Sequence, residues 1–282
     1  MKTLIECIKE AKEKVVAIGH FNISNLEGFW AVVNASKNLN VPVIIGVSEG
    51  ERDFVGIAQI KALVDSIKSE GLPVFLNADH TYSVERVKEV VDAGFDSVII
   101  DEADKNFEEN VAVTKEAMSY AKDKNPEMLV EAELGFIGRS SKLLDEVPDG
   151  IRKTSPEEAK KFIEETNIDL FAPAVGNVHG MVKGGGEPKL DIELIKQIKE
   201  VARIPLVLHG ASGNKDDEIR EAIKAGISVI HINTELRLAY RQGLLKSLDE
   251  NRDEIAPYKY LRPALREMQE VAEKKLKLFN NL

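Results

Sequence analysis

Cysteine is almost absent, with one residue at position 7 of 282, so no disulfide can form within the chain and a reducing, cytoplasmic setting is expected. No stretch reaches the ~20 consecutive apolar residues of a membrane span. The opening Met1-Lys2-Thr3-Leu4-Ile5-Glu6-Cys7 has no apolar signal core and meets an acid by residue 6. Basic residues are outnumbered, 38 to 48, and the net charge of −10 counts against nucleic acid as the main partner. It leaves room for a local cationic pocket that takes a phosphorylated substrate. Linkers rich in Ser or Pro are missing, as are low-complexity segments, so nothing divides the chain into two domains. Histidine is scarce as well, five in all, and where those five fall is informative.

What is present is an alternation of short apolar runs and amphipathic stretches. The runs are Val15-Val16-Ala17-Ile18, Val43-Ile44-Ile45-Gly46-Val47, Val74-Phe75-Leu76-Asn77-Ala78-Asp79 and Ser97-Val98-Ile99-Ile100-Asp101. They continue with Met128-Leu129-Val130-Glu131-Ala132-Glu133, then 170–175, 205–209 and 229–233. Helices are predicted over 25–39, up to 70, over 84–93, 107–123, from 155, over 192–201, 216–225 and 235–248, with a last one over 263–278. Ser155-Pro156-Glu157-Glu158 carries a capping box with proline at the first helical position. Eight strand–helix units imply parallel pairing and right-handed crossovers. The expected fold is a single α/β domain over residues 1–282, a TIM (β/α)8 barrel with an additional C-terminal helix. An open doubly wound sheet is the alternative; Gly19-His20-Phe21-Asn22 is not the glycine-rich fingerprint that such a sheet carries after its first strand.

Catalytic groups of such barrels sit at the C-terminal strand ends. His20, His80, His179, His209 and His231 all fall there or just beyond. Three imidazoles at one mouth suit Zn²⁺ with a coordination position left open for a carbonyl oxygen. Asp79, Asp101, Glu131 and Glu133 end neighbouring strands, where an acid can move protons or orient a ligating histidine. The turns at Gly210-Ala211-Ser212-Gly213 and Asn233-Thr234 follow the last two strands, where these barrels commonly bind phosphate.

These residues resemble the class II, metal-dependent fructose-/tagatose-bisphosphate aldolases over nearly the whole chain. The resemblance is carried by Phe21-Asn22, Val47-Ser48, Asn77-Ala78-Asp79-His80-Thr81, Ser97-Val98-Ile99-Ile100-Asp101, Val130-Glu131-Ala132-Glu133-Leu134-Gly135, Val175-Gly176-Asn177-Val178-His179-Gly180 and Leu208-His209-Gly210-Ala211-Ser212-Gly213. It implies His80, His179 and His209 as ligands of Zn²⁺ or another divalent transition metal. Asp101 and Glu133 then lie under the metal or supply a second position for it. Asp79 becomes the group that exchanges a proton with the C4 hydroxyl of a ketose 1,6-bisphosphate. Asn22 and Ser48 match substrate contacts. Gly180, Lys183, Gly210, Ser212 and Thr234 match the cradle of the dihydroxyacetone-phosphate phosphate and a monovalent cation. A homodimer or homotetramer is implied.

Three departures stand out. His231 replaces an asparagine that stabilises the enediolate, and Asn233 replaces an aspartate that meets sugar hydroxyls. The loop after the fifth strand normally brings a glutamate, but the matching positions are Ser140 and Ser141; Asp145 or Glu146 is the expected substitute. An Asp-Pro-Arg near the C-terminus is replaced by Ala256-Pro257-Tyr258-Lys259, leaving Lys259 or Arg262 for the second phosphate. The expected activity is cleavage of fructose 1,6-bisphosphate. The alternatives are its tagatose epimer, another aldehyde acceptor, a silent sugar-phosphate-binding barrel and an unrelated metallohydrolase. His20 is expected to be a rim residue packed beside Asn22.

Overall fold

The computed structural model describes residues 2–138 and 141–282. Helix α1 (Leu4–Glu13) comes first, followed by β1 (Ile18–Asn22) and α2 (Leu26–Leu39), then β2 (Val43–Val47) with α3 (Glu49–Val55) and α4 (Ile57–Ser69). Next are β3 (Val74–Thr81), α5 (Val84–Asp92), β4 (Ser97–Ile100), α6 (Phe107–Lys124), β5 (Leu129–Leu134), a short β6 (Leu143–Leu144) and α7 (Pro156–Thr166). The second half runs β7 (Leu170–Pro173), a short β8 (Met181–Val182), α8 (Ile192–Ala202), β9 (Leu206–Leu208), α9 (Asp216–Ala225), β10 (Ile227–Ile232) and α10 (Thr234–Glu250). It ends with α11 (Pro257–Tyr260) and α12 (Arg262–Asn280). Strands β1, β2, β3, β4, β5, β7, β9 and β10 pair in parallel, each with its neighbour in sequence, and β10 returns to β1. The closed eight-stranded barrel expected from the sequence is the fold. Among the described residues, no helix is long and apolar enough to cross a membrane.

Side chains alternate along each strand, so every second residue faces the barrel axis. At the strand starts these inward positions are apolar: Ile18, Ile44, Phe75, Leu129, Leu170, Val207 and Val229 form one cluster, which Leu4, Cys7, Ile8 and Ala11 of α1 close from below. Higher up the inward positions turn polar: His20 and Asn22 on β1, Asn77 and Asp79 on β3, Glu131 and Glu133 on β5, and His231 on β10, all buried. Outward positions such as Phe21, Ile45, Leu76 and Val130 join the helices in the main core.

The first strand lies further on than its apolar run predicts. It spans Ile18–Asn22, whereas Val15 has φ 54° and is 48% exposed. Hydrophobic runs mark strands whose interior is apolar; β1 puts a histidine and an asparagine inside, so its polar half reads as loop. His20 is therefore no rim residue but an inward one, in register with His231. Glycine accounts for a second difference: Gly56, at φ 92°, splits the predicted helix up to residue 70 into α3 and α4. The capping box at Ser155 forms as expected.

The last helix is built into the barrel. Ala17 N–H donates to the Phe279 carbonyl at 3.0 Å. Lys275, 3% exposed, places Nζ 2.7 Å from Glu235 Oε1, and the same oxygen accepts Gly213 N–H at 2.8 Å. The C-terminal helix thus holds one of the glycine turns at the barrel mouth.

Candidate metal centre and active site

His80 follows Asp79 directly, so strict alternation would turn one of the pair outward. The β3–β4 register shifts between Ala78 and Thr81, and His80 adopts φ 40°. This bulge brings both residues to the mouth; a left-handed non-glycine residue there stores strain at a working position. His179 and His209 come from the loops after β7 and β9. Asn177 fixes the two loops to each other, donating Nδ2–H to the His209 carbonyl at 2.9 Å.

Each imidazole is held at one nitrogen. His80 Nδ1 meets Asp101 Oδ2 at 2.7 Å, His179 Nδ1 donates to the Gly138 carbonyl at 2.9 Å, and His209 Nε2 meets Glu131 Oε1 at 2.7 Å. That leaves Nε2 of His80, Nε2 of His179 and Nδ1 of His209. His209 Nδ1 and Glu133 Oε2 are buried without any hydrogen-bond partner. One ligand atom each from His80, Glu133, His179 and His209 lies within 4.8 Å of all the others. Three imidazoles oriented by carboxylate or carbonyl partners, with a carboxylate beside them, fit a divalent transition-metal ion.

The charges agree with that fit. Burial pushes Glu131 up to about 8, and burial with the Asp101 charge beside it pushes Glu133 well above the carboxylate range. Burial and the charge of His80 drive His179 and His209 down to about 3. His80 goes the other way: burial opposes its charge, but Asp79, Asp101 and Glu133 outweigh it and raise His80 to about 10. A buried cluster of acids that draws a proton onto one imidazole calls for a cation.

Asp79 lies next to this cluster. Its Oδ2 accepts Asn22 Nδ2–H at 2.8 Å, while Oδ1 is buried without a hydrogen-bond partner, 3.5 Å from His231 Nδ1 and 3.8 Å from His80 Nε2. Burial works against its charge, yet His80 and His231 hold the carboxyl well below its usual range. His231 is the middle ring of a stack, 3.5 Å from His20 and 4.0 Å from His209 between centroids. His20 Nε2 meets Asn77 Oδ1 at 3.0 Å, and Asn77 donates to Ser97 Oγ at 2.8 Å. Gly46 makes room for the His20 ring: a Cβ there would stand 2.0 Å from Cε1. Gly46→Ala is expected to destabilise the fold by about 1–3 kcal/mol, the cost of overpacking a filled interior. A thermal melt at the wild-type temperature would show that the ring has space to move.

The same mouth is lined by Asn22, Ser141, Gly180, Gly210, Ser212, Asn233 and Thr234 together with Asp79 and four of the histidines. Gly180 and Gly210 have φ of 102° and 58°, and a Cβ at Gly210 would meet the Val178 carbonyl oxygen at 2.3 Å, so close backbone approach requires glycine there. Ser212 Oγ accepts the N–H groups of Asn233 and Glu235 at 3.4 and 3.5 Å, joining the two turns at the start of α10.

The fructose-bisphosphate aldolase class-II family profile matches residues 2–282. This chain belongs to that family. A fructose-bisphosphate aldolase of Staphylococcus aureus (strain Mu50 / ATCC 700699) is 40% identical over 278 residues, 97% of this chain and 95% of the relative. A probable fructose-bisphosphate aldolase of Bacillus subtilis (strain 168) is 36% identical over 99% of this chain and 97% of its own length. Among solved structures, the YdjI aldolase from Escherichia coli K12 superposes with a TM-score of 0.82 at 31% identity, covering 99% of this chain and 96% of that one. Class II aldolases are metal-dependent, and the histidine cluster has the geometry to hold such an ion.

The remaining residues singled out from the sequence lie away from the mouth lining. Lys183 pairs with Asp145 at 2.7 Å on the β6–β8 ribbon, where both are exposed. Glu146 is exposed beside them. Ser140 falls outside the described residues. Lys259 pairs with Glu254 at 2.9 Å, and Arg262 is exposed at the start of α12. Neither Lys259 nor Arg262 lines the mouth. Two residues without a sequence signal do bear on it: Glu51 of α3 and Arg237 of α10, paired at 2.6 Å.

Proposed function

We propose that the protein catalyses reversible cleavage of fructose 1,6-bisphosphate to dihydroxyacetone phosphate and glyceraldehyde 3-phosphate, with Zn²⁺ as the metal. The observation that carries this reading is the set of free ligand atoms on His80, His179, His209 and Glu133 beside the unpartnered Oδ1 of Asp79. His80, His179, His209 and Glu133 would hold a divalent cation, which would supply Lewis-acid stabilisation of the negative charge that carbon–carbon cleavage releases. Asp79 Oδ1 takes the proton of the C4 hydroxyl, the C3–C4 bond breaks, and its electron pair passes into the enediolate. His231 Nδ1–H points to Asp79 Oδ1 at 3.5 Å and holds that carboxyl ionised for the C4 proton, leaving the unpartnered Nε2 to contact the substrate. The return of a proton to C3 is assigned to Asp145 or Glu146, which would have to approach from the exposed loop after β5, where Asp145 pairs with Lys183. The Gly180, Gly210 and Ser212 turns, with the N-terminus of α10 at Thr234, receive the phosphate next to C1. Asn233 Oδ1 is buried without a partner and accepts a sugar hydroxyl where the family has aspartate.

A second reading changes the acceptor half. No lysine or arginine is among the described residues lining the narrow pocket at His231 and Asn233, while Lys105 lines the wider cavity of about 470 Å³ that shares His179 with it. An aldehyde without a terminal phosphate fits the narrow pocket, whereas a phosphorylated one would reach toward Lys105. Exhaustive chelation is expected to abolish cleavage and added Zn²⁺ to restore it, with tagatose 1,6-bisphosphate and unphosphorylated aldehydes assayed in parallel. Turnover that survives chelation would sink the metal mechanism. Metal-loaded protein inert to fructose 1,6-bisphosphate but active with dihydroxyacetone phosphate and another aldehyde would favour the second reading.

A further inference from the structure

Glu51 is a carboxylate with 6% exposure, and four donors converge on it. Its Oε2 accepts Ser48 N–H at 2.8 Å, Ser48 Oγ–H at 2.9 Å and Asn22 Nδ2–H at 2.9 Å. Its Oε1 accepts Arg237 Nη2–H at 2.6 Å. The donors come from β1, the start of α3 and α10, which lie far apart in sequence. Asn22 divides its amide between two carboxylates, giving one hydrogen to Glu51 and the other to Asp79 Oδ2 at 2.8 Å. Only an NH₂ group can face two ionised carboxylates, so this geometry fixes which way the amide points. The Asn22 oxygen is left as an acceptor, and Asp79 keeps Oδ1 free. Arg237 also donates Nη1–H to the Ser141 carbonyl at 3.3 Å, on the loop that carries Asp145 and Glu146.

We infer that Glu51 and Arg237 are positioning residues for the cleavage step, acting through Asn22 on Asp79. Arg237 clamps Glu51, Glu51 sets the Asn22 amide, and Asn22 pins one oxygen of Asp79 so that the other faces the substrate. Neither residue touches the reacting atoms. Without the Glu51 carboxylate, Asn22 loses one of the two acceptors that fix its amide, and Asp79 loses the constraint on its rotation. The contact of Arg237 with Ser141 ties the same chain of hydrogen bonds to the loop that protonates C3. The inference rests on the proposed aldolase reaction.

Two reactions of the metal-loaded protein separate a positioning role from a general structural one. Cleavage of fructose 1,6-bisphosphate needs Asp79. Exchange of the carbon-bound hydrogen of dihydroxyacetone phosphate with D₂O needs enolisation and the loop acid, but no C4 hydroxyl. Glu51→Gln is expected to lower kcat for cleavage about 30-fold, the size of effect that a misaligned base produces. KM, metal content and the exchange rate should stay within about threefold of wild type. Glu51→Asp should recover part of the loss. Arg237→Met, which also releases the Ser141 carbonyl, should lower both reactions, and Arg237→Lys should restore them only in part, because lysine has no fork to span Glu51 and Ser141. A Glu51→Gln protein with kcat within about twofold of wild type would overturn the inference while the aldolase reading stands. Equal losses in cleavage and exchange, or lost metal, would also overturn it. Wild-type protein inert in both reactions would overturn the aldolase reading and this inference together.

Discussion

Replacing His209 by alanine is expected to strip the metal and lower kcat/KM for cleavage by about four orders of magnitude, equivalent to about 5.5 kcal/mol of transition-state stabilisation. The side chain carries more than one ligand atom's worth of structure. Its Nε2 is held by Glu131, its Nδ1 faces Glu133 at 3.7 Å, and its ring lies 4.0 Å from that of His231. Alanine removes a ligand, leaves two buried carboxylates without their imidazole and frees one face of the stack. Glu131→Gln is the graded control. It keeps the shape and a hydrogen-bond acceptor for Nε2–H but cannot take up the negative charge that a cation on Nδ1 would favour, and should weaken metal affinity by about 10–100-fold while the fold persists. Metal content by plasma emission, with thermal melts of both variants, makes the check. A His209→Ala protein that still binds one equivalent of metal at wild-type affinity would remove His209 from the ligand set.

Asp79→Ala should behave in the opposite way, retaining metal and losing the reaction. Asp79 lies outside the four residues whose ligand atoms converge, and His80 stays oriented by Asp101. His231 remains stacked between His20 and His209. What disappears is the unpartnered Oδ1, and general-base removal costs about 10²–10⁴ in rate. We expect kcat for cleavage to fall by about a thousandfold with metal stoichiometry unchanged. Near-normal kcat would mean that another group takes the C4 proton, and His231, 3.5 Å from the same oxygen, would be the next residue to test.

Much of this site was legible before any coordinates. Asp79, His80, His179 and His209 sit beside glycine turns and strand ends, where spacing along the chain places them at one mouth. The alternation that puts Glu131 and Glu133 on the same side of β5 is borne out, since both face His209. The part that could not be read has physical reasons. β1 carries its polar residues inside the barrel, so the hydrophobic pattern stops where the strand continues. The φ of 40° at His80 leaves no trace in composition. Glu51 and Arg237 are 186 residues apart, and charged residues on amphipathic helices read as solvated until the fold brings them together. Asp145 and Lys183 each suggested a role singly, but folded they engage one another.

The contact from Lys275 through Glu235 to Gly213 has a consequence for how the molecule comes into being. The turn expected to receive the first phosphate is braced by a helix that leaves the ribosome after every barrel strand. All eight barrel strands are synthesised while that turn is still without its brace. Substrate affinity should therefore be among the last properties acquired during synthesis, and because Leu276, Leu278 and Phe279 of the same helix fill the main core, a premature stop ahead of residue 275 would cost the barrel stability together with the brace.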